Sequence, residues 1–119
     1  MKPLALLAAL AFTAPAAAAP ADRMLVTADE WHLVLSRQAV SPGRVQLQLH
    51  NAGEDGHDLA ARRLDRRGHG SGRTLRIGEV APGGLAEATW RLRRGRYRLW
   101  CTLRGHKRAG MRATLRVRR

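Results

Sequence analysis

Near its C-terminal end the chain carries Cys101, His106 and Met111 in the spacing Cys-x4-His-x4-Met, and far upstream His57 follows Asn51-Ala52-Gly53. A thiolate, two imidazoles and a thioether form a specific donor set. Two His and one Cys suit a trigonal site, and a weak axial Met completes the ligands of a blue, or type 1, copper centre. The thiolate bonds covalently to Cu(II) and the thioether favours Cu(I), so one geometry accepts both oxidation states. Such a centre passes a single electron with little rearrangement. No one of these residues carries the reading alone. Cys101 by itself reads as a buried thiol, Met111 as core filler, and His57 and His106 as ordinary histidines. His32, His50 and His69 lack comparable context and are assigned to surface or turn positions.

Other chemistries fit the same residues less well. Cys101 is the sole cysteine, so no internal disulfide can form, and the paired Cys spacing usual for zinc is missing. A hydrolase built on Cys101, His106 and Asp58 would need a substrate cleft and an oxyanion hole. A small β-domain leaves little room for either, and no enzymatic activity is expected.

The elements that must position the donors read as strands. Val45, Leu47 and Leu49 alternate with Arg44, Gln46 and Gln48, the period of a half-buried strand. His57 opens a further strand reaching Ala61. Ala88, Trp90 and Leu92 alternate, as do Tyr97, Leu99 and Cys101, and then Met111, Ala113, Leu115 and Val117. Leu25-Val26 and Leu33-Val34-Leu35 supply one or two more. Turns are marked by Ser41-Pro42-Gly43 and Pro82-Gly83-Gly84. Residues 65–73 read as a polar loop, with a helical turn allowed within 65–78, and residues 105–110 read as a loop. Seven or eight short strands at this spacing predict an all-β fold, an antiparallel β-sandwich. Cys101 then ends one strand and Met111 begins the next, so a single loop gathers three donors while His57 arrives from a neighbouring strand.

The first residues read as an address. Lys2 is followed by an apolar run over residues 4–14 and by small residues to Ala21, with Ala19-Pro20-Ala21 matching a cleavage site. The run is shorter than the roughly 20 residues of a membrane-spanning helix. The expectation is a secretory signal peptide over 1–21 and one domain over 22–119, exported to a bacterial periplasm with no stable membrane insertion after cleavage. A lone thiol in an oxidising compartment asks for a reason, such as deep burial, pairing between chains or a metal.

The chain resembles the cupredoxin, or blue-copper, family over nearly the whole of this domain. The matching residues are Asn51-x-Gly53-x3-His57-Asp58-Leu59, Pro82-Gly83-Gly84, and Gly95-x-Tyr97-x3-Cys101-x4-His106-x3-Gly110-Met111. The resemblance implies a Greek-key sandwich with one type 1 copper ion held by His57, Cys101, His106 and Met111. The Cys-to-His gap is similar to the azurin-type loop. The resemblance also places Tyr97 as a tyrosine-corner residue and gives Asn51 and Asp58 supporting roles around the ligands. The residue after the first ligand His braces the two ligand loops in that family. Asn or Ser is common there, and this chain has Asp58.

The 119 residues include 22 Lys+Arg against 9 Asp+Glu, a formal charge of +13, and every basic residue except Lys2 and Lys107 is Arg. One reading is compositional drift with solvated Arg. The other is electrostatic steering. Arg104, Lys107, Arg108 and Arg112 surround the proposed ligands where cupredoxins commonly dock through an apolar patch. The expected partner is an acidic redox protein, such as a cytochrome or copper oxidase, meeting a monomer. A nucleic-acid module would need exposed aromatics for stacking, and the export signal argues against it. The function expected is one-electron carriage by Cu(I)/Cu(II) cycling, with copper delivery, storage or resistance as the alternative.

Overall fold

The computed structural model describes residues 1–14 and 22–119. Residues 1–14 are exposed and form no helix or strand. The proposed cleavage site at Ala19-Pro20-Ala21 lies outside the described residues. No helix among the described residues is long and apolar enough to cross a membrane.

Nine strands and one helical turn follow Ala21. They are β1 (Asp22–Asp29), β2 (His32–Leu35), β3 (Ala39–Val40), β4 (Gly43–Asn51), β5 (His57–Leu64), β6 (Gly70–Val80), β7 (Leu85–Leu92), β8 (Gly95–Trp100), α1 (His106–Ala109) and β9 (Arg112–Val117). They build two sheets, ordered β2-β1-β4-β7 and β3-β9-β8-β5-β6. The β-sandwich expected from the alternating patterns is the fold observed. Its core lies between the sheets, where Val45, Leu47 and Leu49 of β4 meet Leu59, Tyr97, Leu99 and Leu115 from the facing sheet. Each such side chain taken fully out of water contributes about 1.5–3 kcal/mol.

Three details differ from the sequence expectation. Both sheets are mixed: β1 runs parallel to β4 and β3 parallel to β9, while the other pairs are antiparallel. Period-two alternation is the same for either direction, so side-chain pattern could not reveal this. The polar loop expected over 65–73 is confined to 65–69, because Gly70, Ser71 and Gly72 already belong to β6. That strand sits at the sheet edge and most of its residues are exposed, so its inward pattern is weak and no helical turn forms there. Conversely, the loop at 105–110 contains α1.

Tyr97 closes one corner of the sandwich. Its hydroxyl accepts the backbone N–H of Arg93 at 3.1 Å, four residues upstream, which is the tyrosine-corner contact.

Candidate metal centre

The four proposed ligands come from the connections at one end of the sandwich. Asn51 ends β4, His57 begins β5, Cys101 follows β8, and His106 and Met111 stand on the connection into β9. Backbone hydrogen bonds fold that connection into a compact loop. Cys101 N–H donates to the Met111 carbonyl, Met111 N–H to the His106 carbonyl, and His106 N–H to the Leu103 carbonyl, all at 3.0–3.1 Å. Gly110 lets the loop turn: its φ is +134°, and a Cβ there would lie 2.8 Å from the Trp31 carbonyl oxygen. The ligand loop therefore packs directly on the β1–β2 hairpin tip.

The side chains of His57, Cys101 and His106 converge, with one donor atom from each lying within 4.8 Å of the others. His57 Nδ1 is 3.2 Å from His106 Nδ1, and Cys101 Sγ is 3.5 Å from that same nitrogen. Two donors sharing one ion through bonds of about 2.0–2.3 Å, opened by roughly 105°, stand ~3.2–3.5 Å apart. The spacing fits a single ion. His57, Cys101 and Met111 are fully buried, and His106 is half-buried. Met111 lies in the same core cluster as Cys101.

Burial pushes the Cys101 thiol above its ordinary value of 9.0, with the Asp58 carboxylate adding to the rise. The metal-free site thus holds a protonated thiol at neutral pH. Asp58 itself ties the two ligand segments together: its carboxylate accepts the Thr102 N–H at 2.6 Å and the Thr102 hydroxyl. Residues 58 and 102 each follow a candidate ligand, so this contact sets the distance between β5 and the end of β8.

Asn51 is buried and makes three hydrogen bonds. Its Nδ2 donates to the carbonyls of Asp55 at 2.7 Å and Val80 at 2.9 Å, and its Oδ1 accepts the Gly53 N–H at 2.9 Å. These bonds shape the segment leading into His57.

Sequence reasoning missed Glu30 and Trp31, which form the β1–β2 tip. Glu30 Oε1 lies 3.0 Å from His57 Nε2 and accepts the Asp55 and Glu54 amides at 2.7 and 2.9 Å. The Asp55 amide, the Glu54 amide and the His57 ring together hold this carboxyl far below the usual range, at about 2. An ionised carboxylate at Nε2 keeps the proton there and leaves Nδ1 bare toward the thiol. A side chain on Gly53 would collide with that carboxylate, which accounts for the glycine in Asn-x-Gly. Trp31 meets the His106 ring edge-on, centroids 4.8 Å apart. One hairpin tip thus supports both imidazoles. Neither residue sits in a sequence pattern of its own.

Arg104, Lys107, Arg108 and Arg112 are exposed around this end. The Lys107 ammonium stands 4.8 Å over the Trp100 ring, and Arg112 donates to the Lys107 carbonyl at 3.1 Å. His32 and His69 are exposed and His50 half-buried, and none of the three joins the donor cluster.

No protein-family model matches the sequence, and no curated protein matches it either. Solved structures do. An auracyanin from Roseiflexus castenholzii is 15% identical at a TM-score of 0.63, covering 87% of this chain and 100% of its own. Auracyanin B is 20% identical at 0.66, covering 87% and 94%. Rusticyanin from Thiobacillus ferrooxidans is 17% identical at 0.60, covering 84% and 79%. With the two-sheet sandwich, these likenesses show that the chain has the fold of the auracyanins and rusticyanin.

Proposed function

We propose that this protein is an exported one-electron carrier whose His57, Cys101, His106 and Met111 hold a type 1 copper ion. The observation that carries the reading is the convergence of two imidazole nitrogens and a buried thiol at donor-to-donor distances suited to one ion. Copper held there would supply reversible Cu(I)/Cu(II) chemistry. The chain's own residues do the rest. Glu30 and Asp58 hold the first histidine and the ligand loop in place before any metal arrives. Burial of His57, Cys101 and Met111 excludes water and keeps the sulfur from oxidants. His106, half-buried and flanked by Trp31, offers the ring edge through which an electron leaves.

The apolar run over residues 4–14 supports reading an export leader and a bacterial periplasm as the destination. Arg104, Lys107, Arg108 and Arg112 around His106 suit an acidic redox partner, whose association rate then falls steeply with salt.

The direct test is the visible spectrum after Cu(II) is added to the purified protein. An intense thiolate-to-copper band is expected, and it disappears in Cys101→Ser. A colourless wild type rejects the assignment. Copper as cargo, for delivery or storage, predicts fast metal transfer to a chelator with slow electron self-exchange. Carriage predicts the reverse.

A further inference from the structure

The outward face of the five-stranded sheet is tiled with arginine. Register sets the side chains in rows across it. Arg76, Ala60, Trp100 and Arg112 stand abreast on β6, β5, β8 and β9. Arg62, Arg98 and Thr114 form the next row, and Leu64, Arg96 and Arg116 the third. Tyr97, Leu99 and Leu115, the alternate residues on these strands, lie in the core, so the rows face away from it. No Asp or Glu stands in them. Asp58 and Glu79 lie at the metal-end margin, the Asp58 carboxylate held by Thr102, and Asp65 in the opposite turn accepts the Arg67 and His69 amides. Among the described residues, no carboxylate pairs with any of the six arginines.

Composition alone does not account for this. The other sheet, cut from the same Arg-rich chain, turns outward Arg23, Arg44 and Arg91 together with Asp29 and Glu87, and Gln48 donates to Glu87 at 2.5 Å. The arginine face sets two Arg pairs directly opposite, Arg62 with Arg98 and Arg96 with Arg116, against one, Arg44 with Arg91, on the face that also carries acids. Like charges directly across a strand pair destabilise a sheet. A face that carries this repulsion unrelieved is complementary to a surface of fixed negative charge.

We propose that this face docks on the anionic phospholipid headgroups of a bilayer. Guanidinium groups bind phosphate through two parallel hydrogen bonds, and all six cations in the rows are Arg. They spread in two dimensions over a sheet, and Arg98 and Arg112 border a shallow open depression beside Trp100 and Lys107. An acidic protein would need carboxylates placed to match that grid, whereas lipids diffuse laterally and adjust to it. Half-buried Trp100, beside Arg112 and under Lys107, is the kind of amphipathic ring that settles at headgroup depth. Contact is peripheral, with no inserted segment. The metal site lies at the strand ends, so a protein resting on this face keeps His106 open to a partner from the side.

Co-sedimentation of the full chain with vesicles tests the proposal. Phosphatidylcholine vesicles measure whatever the N-terminal apolar run contributes, and phosphatidylcholine–phosphatidylglycerol vesicles add the charge. Two variants remove equal charge: Arg96→Gln, Arg98→Gln, Arg116→Gln on the arginine face, and Arg23→Gln, Arg44→Gln, Arg91→Gln on the other. The expected result is binding to the anionic vesicles alone, weakened by salt, lost about a hundredfold in the first variant and less than threefold in the second. Thermal melts control for folding, and the first variant should melt no lower than wild type because two facing Arg pairs have been relieved. Equal losses in both variants, or no preference for anionic vesicles, overturn the proposal. So does binding to soluble polyphosphate or to an acidic protein with none to vesicles.

Discussion

Replacing Asn51 with Ala tests how the approach to His57 is built. The side chain is fully buried and its three hydrogen bonds are well formed, at 2.7, 2.9 and 2.9 Å. Truncation orphans the buried Val80 carbonyl, at a cost of about 1–3 kcal/mol. The Asp55 carbonyl and Gly53 N–H lie nearer the surface and recover part of their loss through water, at about 0.5–1 kcal/mol each. The sum is roughly 2–5 kcal/mol, a large share of the ~5–15 kcal/mol that holds a domain together. For a domain of this size the melting temperature drops by about 10–40 °C. Urea denaturation of the metal-free protein measures the change directly. Asn51→Asp should be no better, because a carboxylate cannot donate to the Val80 and Asp55 carbonyls. Folded Asn51→Ala loaded with copper in the cold should retain its thiolate band, since Asn51 is not a ligand. A midpoint shift worth less than about 0.5 kcal/mol would show that water replaces the asparagine at little cost, and would refute the bracing role given to Asn51.

Glu30→Gln removes a negative charge hydrogen-bonded to a ligand imidazole, so Cu(II) loses more than Cu(I) and the reduction potential rises on the order of tens of millivolts; redox titration checks this, and an unchanged potential refutes the role assigned to Glu30. The same carboxyl has an ordinary value of 4.5 lowered to about 2. Its contribution to stability is complete above pH 4.5 and lost as pH falls through about 2, so acid melts of Glu30→Gln should be flatter across that window than those of wild type. Because burial raises the Cys101 thiol, copper must displace its proton. Copper affinity then rises about tenfold per pH unit between roughly pH 7 and 8.5, and competition titrations showing no pH dependence would exclude thiolate ligation.

Much of the candidate site was legible in one dimension because its donor types are chemically scarce, and three of them, His57, Cys101 and His106, converge. A single Cys, followed at fixed intervals by His and Met within one connection, has few other uses, and the flanking alternation of Tyr97-Leu99 and Leu115-Val117 already described a strand-loop-strand. What the linear pattern could not hold is whatever depends on direction and on distant neighbours. Parallel pairing of β1 with β4 leaves the same alternation as antiparallel pairing. Edge strand β6 has too few buried residues to announce itself. Glu30 precedes its histidine by 27 positions and looks like any hairpin-tip carboxylate until folding sets it against Nε2. The arginines are equally plain in sequence, yet only cross-strand register reveals that six of them share one face and that the opposite face keeps its acids. Residue chemistry is local and can be read along the chain; proximity between remote segments is created by packing, and with it the charges and hydrogen bonds that tune the centre.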